Sequence, residues 1–144
     1  MKKNKSLKVS IVMGSQSDYK TMKLAEKILT KVGVQYETKI ISAHRTPKRM
    51  YEYAKLAVKN NIGVIIAGAG GSAHLPGMIS ALTSIPVLGV PKKSKKLKGL
   101  DSLLSIGTPN TGIGVKAEII PGKWAEPPAP AIITAILFLT VELA

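Results

Sequence analysis

The chain has 144 residues, 45% hydrophobic and 20% charged, with a formal net charge of +13 and no cysteine. That length and balance suit a single soluble domain over residues 1–144 with its own core and exclude wholesale disorder. The absence of cysteine excludes a disulfide framework and a thiolate metal site, in keeping with a reducing compartment.

The first apolar run spans only residues 9–13, too short for a secretory signal, so no export is expected. The most apolar segment, AIITAILFLTVEL, offers roughly a dozen residues where a membrane span needs about 20, and it reads as a buried or oligomer-facing helix. Nine of the 21 basic residues lie in two tracts, Lys2, Lys3, Lys5 and Lys8, then Lys92, Lys93, Lys95, Lys96 and Lys98. Such a field attracts polyanions. These are lysines without interleaved aromatics, on a terminus and a loop, so they read first as solvated charge, with nucleic-acid binding as a minor alternative.

Along the chain two periods alternate. Residues 8–13 form a short β-branched run ending at Gly14, after which Met22, Ala25, Ile28, Leu29 and Val32 recur at helical spacing up to Gly33. Residues 36–41 read as a second strand, followed by a helix with Thr46 as N-cap, Pro47 at its first position and Met50, Tyr53, Ala54 and Ala57 along its apolar face. Residues 63–67 are a third, nearly all-apolar strand, followed by a glycine-rich loop and a helix opening near Pro76. Residues 86–90 are a fourth strand, 100–106 a short helix, 113–120 a weaker fifth strand, and 131–143 a closing helix after the connector PGKWAEPPAP. Strand-helix alternation with continuous apolar strands predicts an α/β domain whose parallel sheet is covered on both faces.

In such a sheet, ligands bind beyond the carboxyl ends of the strands. The loops that end there are GSQSD (14–18), SAHRT (42–46) and GAGGSAHLPG (68–77). Their convergence brings His44 and Arg45 into one cleft with His74. Gly14, Ser15, Ser17, Ser42, Gly70, Gly71 and Ser72 leave main-chain amides and hydroxyls for an anionic group such as phosphate, Arg45 adds a fork of donors, and Asp18 suits sugar hydroxyls. An imidazole in that company can give and take a proton near neutrality. Taken alone, Ser17 and Asp18 read first as helix-start residues and Thr46 and Pro47 wholly as helix initiation, while His74 reads equally as a satisfied, half-buried side chain. The loop also fits G-x-G-x-x-A through Gly68, Gly70 and Ala73, but Pro91, Lys92 and Lys93 stand where a dinucleotide site carries an acidic residue, a pair suited only to an NADP phosphate.

VMGSQSD, SAHRTP and AGAGGSAHLPGM, in this order and followed by PVLGVP and LDSLLSI, closely resemble the class I PurE family, the bacterial-type N5-carboxyaminoimidazole ribonucleotide mutases of purine biosynthesis. The likeness covers residues 9–106, and HLPGM favours this class over related carboxylases that use free carbon dioxide. The resemblance implies a flavodoxin-like three-layer (αβα) domain with a mainly parallel five-stranded sheet and a C-terminal helix. It also implies a cytoplasmic homo-octamer with sites at subunit boundaries, and a mutase needing no metal, ATP or organic cofactor. By the same resemblance, Ser15, Asp18, Ser42 and Arg45 hold the ribose and 5′-phosphate of a ribonucleotide substrate. Gly14, Ser17 and Ala43 complete that subsite, His44 is the catalytic acid and base, and Gly70, Gly71, Ser72, His74 and Leu75 enclose the base and the migrating carboxylate. After Ile106 the chain departs from the family pattern: GTPNTGIGVKAEII places Lys116 and Glu118 in a strand expected to be apolar, and the QMP stretch is absent. The alternative reading is a nucleotide- or phosphate-binding module that keeps the cleft without turnover.

Overall fold

The computed structural model of the chain describes residues 6–93, 98, 100–107 and 117–119. Among them are five strands, β1 (Lys8–Met13), β2 (Tyr36–Ile40), β3 (Ile62–Gly70), β4 (Val87–Lys92) and β5 (Ala117–Ile119). Helices α1 (Tyr19–Lys31), α2 (Pro47–Leu56), α3 (Leu75–Ser80) and α4 (Leu100–Gly107) alternate with them, and a 3-10 turn, Gln16–Asp18, leads into α1. All strand pairs are parallel, in the order β2-β1-β3-β4-β5. This is the flavodoxin-like order that the resemblance implies. It reverses direction between β1 and β3, which opens a crevice above their carboxyl ends.

Each sheet face carries its own core. Val9, Ile11 and Met13 of β1 pack with Met22, Ala25 and Leu29 of α1. Val12 faces the opposite way, toward Met50, Tyr53 and Ala54 of α2 and Leu75 and Ile79 of α3, with Ile106 of α4 in the same cluster. Strand alternation explains the split within β1. In β3 the alternation slips: Ile62 and Ile65 share the α2 side although they are three positions apart. A register shift accounts for this, since Lys8 pairs with Ile62 while Val9 pairs with Val64, leaving Gly63 as the extra residue. Further along β3, Met22 of α1 lies so close that a Cβ on Gly68 would meet its Sδ at 2.2 Å. Glycine there lets helix and strand touch.

At the opposite end of the sheet, the buried Ser10 accepts a hydrogen bond from the Tyr53 hydroxyl at 2.8 Å and donates to Glu37 Oε1 at 3.2 Å. Burial pushes the Tyr53 phenol well above its ordinary range, so it stays a neutral donor. Burial also works against the charge on Glu37, but hydrogen bonds from Lys39 and Lys8, with their positive charge, outweigh it and hold the carboxyl below its usual value. A carboxyl depressed in the folded state adds stability above its unfolded value and loses it as pH falls through the folded one. Glu37→Gln should therefore lower the urea midpoint at neutral pH, and the variant and parent curves should converge in acid. A gap independent of pH would contradict this assignment.

The observed bounds differ most from the sequence expectations at two strands. β3 continues through Gly70, where a loop is expected from Gly68 onward, because Gly68, Ala69 and Gly70 pair with Val90, Pro91 and Lys92. β4 correspondingly runs to Lys92 instead of ending at Val90. The expected fifth strand is described at 117–119, where Glu118 stands opposite Leu88. The rest of that strand, including Lys116, the proline-rich connector and the expected closing helix at 131–143 lie outside the described residues. Among the described residues no helix is long and apolar enough to cross a membrane.

Candidate active site

Because β1 to β4 are parallel, their carboxyl ends share one edge, and a cleft of about 310 Å³ lies there. The loop after β1 lines it with Gly14, Ser15, Ser17 and Asp18, and the loop after β2 with Ser42, Ala43 and His44. β3 and its loop bring Ala69, Gly70, Gly71, Ser72 and Leu75, and the end of β4 brings Lys92 and Lys93.

In the first loop, Ser15 caps the short turn and Asp18 closes it. Asp18 Oδ2 accepts from both the Ser15 main-chain N–H and the Ser15 hydroxyl at 3.0 Å. Asp18 is 6% exposed, and its charge is met by Lys92 Nζ, 2.8 Å from Oδ1. Capping and cleft-lining are thus properties of the same carboxylate.

The second loop folds on itself. The N–H groups of Arg45 and Thr46 donate to Ser42 Oγ at 3.2 Å and Ser42 O at 3.0 Å. Thr46 precedes Pro47, the first residue of α2, as the sequence predicts, but its hydroxyl binds the main chain of Ser42 rather than capping the helix. Since Ser42 Oγ acts as acceptor toward Arg45, it keeps its proton for a ligand. The turn leaves His44 and Arg45 exposed at its tip.

His44 meets His74 of the third loop. His44 Nε2 and His74 Nδ1 are 3.0 Å apart, with the rings nearly perpendicular at 85°. One of these nitrogens must carry the proton and the other accept it, so the pair holds a single proton in the contact. Arg45 reaches back toward the first loop, its Nη2 3.5 Å from Gly14 O. His74 and Arg45 therefore stand at the rim, while the other predicted residues, Gly14, Ser15, Ser17, Asp18, Ser42, Ala43, His44, Gly70, Gly71, Ser72 and Leu75, line the cleft itself.

The third loop turns at Gly71, whose φ of +67° favours glycine. Its N–H donates to Ser102 Oγ at 2.9 Å, and that hydroxyl donates onward to Lys92 O at 2.8 Å. Ser102, on α4 and 0% exposed, thus joins the glycine loop to the end of β4. Sequence reasoning missed it, together with Ala69, Lys92 and Lys93 as lining residues. A serine in an amphipathic helix carries no local mark of such a bridge.

One expectation changes in detail. The amides of Gly14, Ser15 and Gly71 are engaged, by Gly68 O, Asp18 and Ser102 respectively. Lys93 in the lining, Arg45 at the rim and the Ser42 hydroxyl are left to attract an anion, while Lys92 is committed to Asp18 and Ser17. The arrangement combines an anion-attracting pocket with an imidazole pair able to move a proton at its edge.

Comparison with known proteins finds relatives along most of the chain. The chain is 63% identical over 120 residues to the N5-carboxyaminoimidazole ribonucleotide mutase of Pyrococcus horikoshii, a match spanning 83% of this chain and 67% of that protein. It is 53% identical over 137 residues to the bifunctional purine synthesis protein purC/E of Dictyostelium discoideum, covering 94% of this chain but only 14% of that much longer protein. The crystal structure of Treponema denticola PurE superposes with a TM-score of 0.74 at 24% identity, over 92% of this chain and 80% of that one, which shows the shared fold. The family profile described as AIR carboxylase matches residues 8–138, nearly the whole length, so the chain belongs to the AIR carboxylase family.

Proposed function

We propose that the chain is a mutase of purine biosynthesis that converts N5-carboxyaminoimidazole ribonucleotide into 4-carboxy-5-aminoimidazole ribonucleotide. The observation that carries this reading is the meeting of His44 and His74 at 3.0 Å on the edge of a serine- and lysine-lined cleft. The names of the relatives supply the substrate. In this reading Ser15, Asp18, Ser42 and Arg45 hold the ribose and 5′-phosphate, with Gly14, Ser17 and Ala43 shaping that end. Gly70, Gly71, Ser72, His74 and Leu75 surround the imidazole and the migrating carboxylate.

The chemistry needs one proton delivered and one removed. His44 protonates the exocyclic nitrogen as its bond to the carboxyl carbon breaks, releasing carbon dioxide and the electron-rich aminoimidazole. The two fragments stay confined, and confinement supplies a high effective concentration for recombination. C4 attacks the carbon of carbon dioxide, and His44, now the base, removes the C4 proton to restore the aromatic ring. The sum is an isomerisation that returns His44 to its starting state. His74, on the other side of the 3.0 Å contact, orients the imidazole. The reaction runs without metal, ATP or organic cofactor.

The whole chain acts as one domain in the cytoplasm and assembles as a homo-octamer with sites at subunit boundaries. An assay with N5-carboxyaminoimidazole ribonucleotide tests the proposal: the C4-carboxylated isomer should accumulate, whereas binding without conversion would identify an inert nucleotide-binding module. Arg45→Ala should raise KM by roughly 10- to 100-fold, the range of a hydrogen bond to a charged group, with kcat little changed. Steady-state kinetics of the variant at fixed ionic strength measures this.

A further inference from the structure

β3 and β4 pair so that Lys92 stands directly beside Gly70. A Cβ on Gly70 would lie 3.2 Å from Lys92 Cβ and 3.3 Å from its Cδ, so the aliphatic stem of the lysine lies across the bare glycine. The side chain thereby leaves β4, passes over the end of β3 and arrives at the loop after β1, bridging the crevice where strand order reverses. There its ammonium donates to Asp18 Oδ1 at 2.8 Å, Ser17 O at 3.1 Å and Ser17 Oγ at 3.3 Å. An ammonium has three protons and finds three acceptors.

The consequence falls on Asp18. Its Oδ2 is held by Ser15 and its Oδ1 by Lys92, so neither rotation of the carboxylate nor movement of the 16–18 turn is free. Asp18 is almost fully buried and would otherwise set an uncompensated negative charge beside the place where a phosphate must sit. We infer that Lys92 is a positioning residue for the substrate: by crossing Gly70 to clamp Ser17 and Asp18, it presets the sugar-phosphate end of the cleft and neutralises the one carboxylate among its described lining residues. This rests on the reading of the cleft as a ribonucleotide site. Lys92 acts through Asp18 and the first loop, not on the reacting atoms, so its effect belongs in binding rather than in the chemical step.

Lys92→Met should raise KM about tenfold, the effect of losing a charge-assisted hydrogen bond, with kcat within about twofold. Lys92→Arg should recover most of the loss, which separates a fold defect from a missing cation. Lys92→Met combined with Asp18→Asn should fall well short of the product of the two single effects, because both break the Lys92–Asp18 contact. Unchanged KM in Lys92→Met, no recovery in Lys92→Arg, or effects that multiply in the double variant would overturn the inference. Calorimetric titration with ribose 5-phosphate separates this inference from the mutase reading. Affinity about tenfold lower in Lys92→Met than in the parent supports the clamp even if the parent converts no substrate. Equal affinity, or no binding to the parent, would overturn it.

Discussion

Replacing His44 with asparagine is expected to lower kcat by on the order of 10³-fold or more, the scale of general acid-base catalysis when one group serves two proton transfers. The side chain stands at the exposed tip of the Ser42–Thr46 turn, whose hydrogen bonds to Ser42 come from the main chain of Arg45 and from Thr46. The substitution therefore leaves the turn intact, and Ser42 and Arg45 keep their places. Nucleotide affinity should change by no more than about threefold, since an interaction made only during the chemistry contributes to kcat and not to ground-state binding. Single-turnover assays with the carbamate nucleotide, paired with calorimetric binding of the product, separate the two quantities. Near-parental turnover would remove His44 from its role, and a collapse of binding would make it a structural residue of the cleft.

Ser102→Ala is the second substitution with a large expected effect, although Ser102 does not line the cleft. Its hydroxyl both accepts from Gly71 N–H and donates to Lys92 O, and it has no exposure to solvent. Removing it strips a partner from two main-chain groups at once, which costs about 1–3 kcal/mol where water does not replace it. The melting temperature should fall by several degrees, and the glycine loop, no longer tied to β4, should hold substrate less well. A raised KM is therefore expected with the lower melting temperature. Ser102→Thr is not expected to restore the parent, because an added methyl in a fully buried position forces its neighbours apart. Parental stability and KM in the alanine variant would show that the bridge is dispensable.

Periodicity makes most of this fold legible in the sequence. The β-branched run of β1 has the expected bounds, and the Thr46-Pro47 pair marks the start of α2. The misread places are those where tertiary pairing overrides local preference. Gly68, Ala69 and Gly70 carry little strand propensity of their own, yet they extend β3 because β4 lies alongside. Pro91 lacks an N–H and argues against a strand interior, yet it stands opposite Ala69 in the extended β3–β4 pairing. Extending both strands by these few residues is what places Lys92 beside Gly70 and into the cleft.

The site divides along the same line. His44 was conspicuous because an ionisable pair at a strand end needs a reason, and the glycine and serine loops declared themselves by composition. Lys92 was hidden in a lysine-rich tract, where composition offers solvation as a sufficient explanation. Only its register opposite a glycine, and the acceptors 74 and 75 residues earlier in the chain, distinguish it from its neighbours. Ser102 was hidden for the opposite reason, since nothing in a helix of ordinary composition marks a hydroxyl that serves another loop.

In the proposed reaction one cleft, edged by the His44–His74 pair, moves a carboxyl group within a single bound nucleotide. Its most direct test is conversion of substrate carrying a ¹³C-labelled carbamate in the presence of unlabelled bicarbonate, with the product read by NMR. The ¹³C is expected to be retained on the carboxylate at C4. Product whose carboxylate comes from bicarbonate, or intact substrate after prolonged incubation with folded protein, would contradict it.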